Sequence, residues 1–291
     1  MKQAITITYG DIAENHVGNQ QIGSRATNGF STLELKNIQA KIPVSYKTEL
    51  IQLNNYAPNS IQTEDASILI IRNGANFLLE SIEKTADDMY NEQIKLDVDK
   101  KYYDTRRKAV LNKHARHNLC FSDQGQDANY ESGCGTVISF DEVPCTKEIR
   151  RKIGELCDKI NLQAEGNYYY DPTKTGISFH GDAERKIVVA VRLGVSIPLH
   201  YQWYFKSETI GKTCVLLLNH GDIYMMSEKA TGYDWKRRII PTLRHAAGCE
   251  KYTKIKPKKL KETIPNNNQN EVIIEKVSPM PRKVIIIKKP Y

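Results

Sequence analysis

Between residues 164 and 247 the chain falls into short apolar segments separated by turns: GNYYYD, GISFHGD, KIVVAVRLG, LHYQWYF, KTCVLLLNHGD, IYMMS and TLRHAA. Strand-length runs without helix-length pieces between them do not suit a parallel sheet with crossover helices. They predict an antiparallel barrel or a two-sheet jelly roll. Such a fold draws residues far apart in sequence into one interior pocket. Ahead of these strands, AITITY (4–9) alternates like a short strand and SILII (67–71) reads as a buried one closed by Asn73-Gly74. Helical periodicity predicts three helices. One runs through TLELKNIQAKI, capped by Ser31 or Thr32, with Leu33, Leu35, Ile38 and Ile42 near one face. Another covers NFLLESIEKTADDMYNEQIKL with Phe77, Leu78, Ile82 and Met89 inward, and a third covers KEIRRKIGELCDKIN behind Thr146.

A chain of 291 residues is long enough to bury a substantial core. No apolar run approaches the length of a membrane span, and MKQAITITYGD has no signal-peptide core, so the expected compartment is cytoplasmic or nuclear, with no membrane partner. Six scattered cysteines without a CxxC pair predict reduced thiols rather than a disulfide framework or a structural zinc. The net charge of +8 is unevenly placed: residues 251–291 hold 11 Lys and Arg against 3 Asp and Glu, which accounts for all of it. Such a basic tail, rich in Pro and Asn, is expected to be mostly disordered and to suit an acidic or nucleic-acid partner. A second basic stretch, KYYDTRRKAVLNKHARHNLCFSD, places Arg106, Arg107, Lys113 and Arg116 among aromatics. It reads either as a phosphate-contacting patch or as a solvated, salt-bridged helix face.

His180-Gly181-Asp182 carries the most specific chemistry. His and Asp at i and i+2 of an extended segment project to the same side, so both reach one metal ion. A distant third ligand would complete a 2-His-1-carboxylate triad, which leaves positions on Fe(II) open for a cosubstrate and oxygen. A second triplet, His220-Gly221-Asp222, falls between two strands and reads as a tight connecting turn. His245 lies 65 residues beyond His180, far enough for several intervening strands, and is preferred over His200 as the third ligand. A buried histidine bonded to its neighbours is the plain alternative.

Several segments together resemble the AlkB-like family of Fe(II)/2-oxoglutarate dioxygenases. They are Asn167-Tyr168-Tyr169, His180-Gly181-Asp182-Ala183-Glu184-Arg185, Val191-Arg192-Leu193-Gly194, and His220-Gly221-Asp222 through Met225-Met226-Ser227. The resemblance covers about residues 105–256. It implies an α+β fold: a double-stranded β-helix (jelly-roll) core over 101–256 with flanking N-terminal helices. Outside it, residues 1–100 are expected to form an α/β extension packing on that core, and 257–291 to be the basic tail. The resemblance implies Fe(II) on His180 and Asp182, 2-oxoglutarate held by Asn167 and Tyr169, and Glu184 as a catalytic-site contact to the target base. The segment NKHARHNLCFSD resembles the family's nucleotide-recognition segment. Where the family's distal His is expected, this chain reads Tyr233-Asp234-Trp235-Lys236. With His245 as ligand, a hairpin at Gly248 would bring Lys254 to the distal carboxylate of 2-oxoglutarate, with Lys256, Arg238 and Arg244 as rivals. The implied activity is hydroxylation or oxidative demethylation of a base in DNA or RNA. A protein or small-molecule hydroxylase on the same fold, and a non-catalytic nucleic-acid-binding module, are the alternatives.

Overall fold

The structure, a computed structural model, describes residues 1–255, so the basic tail and Lys256 lie outside the described residues. Met1–Lys254 form one compact unit. From the N-terminus come β1 (Ala4–Gly10), the pair β2 (Ile12–Glu14) and β3 (Gln21–Gly23), α1 (Thr32–Lys41), β4 (Thr48–Gln52) and β5 (Ser67–Ile71). Then follow α2 (Gly74–Leu79), α3 (Ala86–Gln93), the ribbon β6 (Lys101–Asp104) and β7 (Ala109–Asn112), β8 (His117–Ser122), β9 (Val137–Ser139) and α4 (Pro144–Cys157). The strand-rich half holds β10 (Gln163–Tyr169), β11 (Gly176–His180), β12 (Val188–Gly194), β13 (Ile197–Phe205) and β14 (Glu208–Leu218). It closes with β15 (Ile223–Met226), α5 (Glu228–Thr231), β16 (Thr242–Gly248) and α6 (Glu250–Thr253).

Two sheets carry the architecture. The larger runs β4-β5-β15-β12-β1-β10-β8-β9 and the smaller runs β11-β16-β13-β14. Every pairing in them is antiparallel except β8 with β9. The alternation of side chains along each strand gives the larger sheet two apolar faces. One face presents Ile5, Ile7, Val189, Val191, Leu193 and Met225 to α1–α4. The other presents Ile68, Ile70, Val188, Ala190 and Met226 to Leu199, Tyr201, Trp203 and Leu243 of the smaller sheet. The result is three layers: helices, large sheet, small sheet. The mixed, mostly antiparallel class expected from the strand spacing is observed.

Some local expectations are corrected. Residues 1–100 are woven into the core rather than packed on it as an extension, because β1 lies between β10 and β12 and β5 pairs with β15. The single helix expected over 76–96 is broken. Glu83 adopts the left-handed region, and Thr85 starts a new helix through a reciprocal capping box with Asp88, leaving Ile82 exposed. Leu33 of α1 also faces solvent. Thr146 does not cap α4. That helix starts at Pro144, and the Glu92 carboxylate accepts from the Cys145 and Thr146 backbone N–H groups. The basic stretch from 101 forms a β-ribbon and a sheet strand rather than a helix face. All six cysteines are free, and among the described residues no helix is long and apolar enough to cross a membrane.

Candidate metal centre and its cavity

The pairing of β11 with β16 sets His180 directly opposite His245, with an irregularity in register between Ile177 and His180. The two rings lie 4.4 Å apart, and Asp182 Oδ1 sits 3.5 Å from His180 Nε2 and 3.6 Å from His245 Nε2. Those separations are too long for hydrogen bonds. One ligand atom from each of the three residues lies within 4.8 Å of the others. His180 Nδ1 lies 2.8 Å from the Ser178 carbonyl, which can only accept, so Nδ1 carries a proton and Nε2 is the ring atom turned toward the carboxylate. Burial, with His180 and Arg185 nearby, holds His245 well below the usual imidazole range, so this ring is neutral. Two imidazoles and a carboxylate converging in this way form a donor set that a divalent cation satisfies.

The loop bearing Asp182 is fixed from two sides. Its backbone N–H donates to the Thr231 carbonyl, and a Cβ at Gly181 would lie 2.1 Å from the Gly232 oxygen. Only glycine permits that approach. On the far side of the loop, the buried Asp11 carboxylate accepts from the backbone N–H groups of Lys186 and Ile187 as well as Ala26.

The triad opens on a cavity of about 990 Å³ between the sheets. Glu184 lines it. Burial raises its carboxyl against the opposing Arg185, and Asp182 adds to the rise. Arg185 is itself buried and donates to Glu184 at 3.0 Å and to Glu165 at 2.5 Å. Burial pushes Glu165 up, but Arg185 outweighs it and the net direction is down. Asn167 and Tyr169 also line the cavity, with Asn167 bridging Arg116, which donates to its Oδ1, and Glu165. Nearer the ribbon stand His16 and Tyr102, whose rings are 3.8 Å apart.

Not every expected residue is here. Lys254 ends α6, is largely exposed and pairs with Glu250 at 3.5 Å; it does not line the cavity. The chain after Gly248 forms that short helix instead of a returning strand, which is why the lysine is carried away. Arg238 is exposed, and Arg244 stacks on Tyr204 and Trp235 with its guanidinium 3.9 and 5.1 Å from the ring centres. Arg106 and Arg107 occupy the exposed tip of the β6–β7 ribbon, outside the cavity lining. Lys113 and Arg116 do line it. Lys113 is buried with its ammonium bound by Asn15 and Asn118, and burial lowers it to about 8, so it is not the solvent-facing phosphate contact expected. His200 lies on β13 away from the triad, its Nε2 buried without a hydrogen-bond partner. The second HxD is a turn: His220 Nδ1 accepts from Gly194 N–H, and Asp222 accepts from Arg72 and the backbone of Asn73 and Asn219.

Sequence reading passed over one residue, Arg192, as a functional group. It is 1% exposed, lines the cavity, and its Nε and Nη1 atoms have no hydrogen-bond partner. The signal was a charge in VVAVRLG, a strand buried on both faces.

Against this geometry, one comparison is informative. The chain is 43% identical over 258 residues to uncharacterized protein R156 of Acanthamoeba polyphaga mimivirus, covering 87% of this chain and 99% of the viral protein. The chain belongs to the family of that protein. The span matched in the viral protein exceeds what the strand-rich half alone could supply, so the family shares more than β10–β16. No family model matches the chain.

Proposed function

We propose that this protein is an Fe(II)- and 2-oxoglutarate-dependent dioxygenase that hydroxylates or oxidatively demethylates a nucleic-acid base, built on a double-stranded β-helix. The observation that carries this reading is the convergence of His180, Asp182 and His245 at the wall of a large cavity. An ion held by these three residues would keep coordination positions for a cosubstrate and oxygen. When bound, iron and 2-oxoglutarate supply the oxidation: O₂ and 2-oxoglutarate are consumed, succinate and CO₂ form, and one oxygen atom enters a substrate C–H bond.

The chain's own residues have separate tasks. His180, Asp182 and His245 would hold the ion, while the Gly181–Gly232 contact and the Thr231 carbonyl fix the position of Asp182. Glu184, two residues beyond the ligand carboxylate and facing the cavity, is placed to meet the polar edge of a base. Arg116 and the His16–Tyr102 ring pair supply positive charge and stacking surface, which suit a base brought out of its stack.

The test is 2-oxoglutarate turnover by iron-loaded protein in the presence of methylated DNA, methylated RNA or peptides. Stimulation by an oligonucleotide is expected. Stimulation by peptides alone would remove the nucleic acid from the account.

A further inference from the structure

Arg192 is a buried cation without a counter-charge. Among the described residues no carboxylate forms an ion pair with it, and the Tyr169 ring stands 5.9 Å from the guanidinium carbon. Its cross-strand partner on β1 is Thr6, whose hydroxyl is also buried and unpartnered. Both residues line the cavity, so three orphaned polar atoms, Arg192 Nε, Arg192 Nη1 and Thr6 Oγ1, stand side by side on the large sheet. Leaving such groups unsatisfied is costly, and a guanidinium's parallel N–H donors match the two oxygens of a carboxylate.

Position decides which carboxylate. Arg192 and Thr6 belong to the large sheet, whereas His180 and His245 belong to the small one. Packed sheets stand about 10 Å apart. A ligand touching both has one end at the metal and its other, anionic end at Arg192.

We infer that Arg192 and Thr6 form the seat for the second carboxylate of a dicarboxylic 2-oxo acid. The inference rests on the iron- and 2-oxoglutarate-dependent reading, and it moves the anchor to β12, away from Lys254, Arg238 and Arg244. Its consequence is selectivity. A monocarboxylic 2-oxo acid one carbon shorter, 2-oxobutyrate, would satisfy the metal but leave Arg192 and Thr6 unpaired.

The experiment measures the dissociation constants of 2-oxoglutarate and 2-oxobutyrate by calorimetry, without oxygen, on Fe(II)-loaded wild type, Arg192→Met and Arg192→Lys. A charge-assisted pair implies that wild type prefers 2-oxoglutarate by about 10- to 100-fold. Arg192→Met is expected to erase that preference while binding 2-oxobutyrate as wild type does, and Arg192→Lys to restore part of it. Ligand-free Arg192→Met is expected to melt at or above the wild-type temperature, since a buried unpaired charge has been removed. If Arg192→Met keeps the preference, or loses affinity for both acids and melts far lower, Arg192 is not the seat and the metal reading stands. If iron-loaded wild type binds neither acid, the dioxygenase reading fails and the seat with it.

Discussion

Protonation at the cavity wall is governed by burial, and His16 makes this measurable away from the metal ligands. Burial first, then the charges of Lys113 and Arg116, lower its imidazole from 6.5 to about 4. In the unfolded chain His16 takes its proton near 6.5, in the folded protein only near 4, so between those values the unfolded state binds more protons. Its contribution to stability is therefore complete above 6.5, falls as the pH drops toward 4, and is constant below. Urea unfolding of the metal-free protein should show a smaller loss between pH 7 and pH 5 for His16→Gln than for wild type; equal losses would mean that His16 titrates normally. At this scale the sequence was readable where chemistry leaves a pattern. His180 and Asp182 stood out through strand periodicity, and His245 through its distance from them. Arg192 did not, because a lone charge in an apolar strand acquires meaning only when its neighbours prove to be without carboxylates. Lys254 was misplaced because four residues after Cys249 form a helical turn where a strand was expected.

Elements far apart in sequence hold the ligand loop. Asp11, just after β1, accepts backbone N–H groups from Ala26, Ile187 and Lys186 at 2.7, 2.9 and 3.1 Å and is 6% exposed. Removing its carboxylate strands these buried donors. Asp11→Ala is expected to cost about 3 kcal/mol in denaturant unfolding, and to weaken metal binding by less than the loss of a ligand does. A cost below about 0.5 kcal/mol, the range of ordinary surface changes, would show that the loop is held elsewhere. Every strand expected between 164 and 247 forms, because alternation and turn residues are local signals that tertiary packing reinforces. The helical region was less legible. The break at Glu83 and the capping of α4 by Glu92 depend on contacts that periodicity does not carry.

Across the whole molecule, the three layers explain why the site lies where it does. The helices cover one face of the large sheet, so the cavity opens on the other, between that sheet and the small one. The central place of β1 could not be read from AITITY alone, since a short strand carries no record of which strands flank it. Topology supplies it: Thr6 reaches Asn167 on one side and Arg192 on the other. The small sheet then brings His180 and His245 into register opposite that polar row. We propose that this assembly holds a divalent metal. Anaerobic Fe(II) binding to wild type, His180→Ala, Asp182→Ala and His245→Ala tests it most directly. Since losing even an outer partner of a metal ligand costs about 10- to 100-fold in affinity, each substitution is expected to weaken binding by more than about 100-fold. Binding of iron by all three variants as tightly as by wild type would contradict the account.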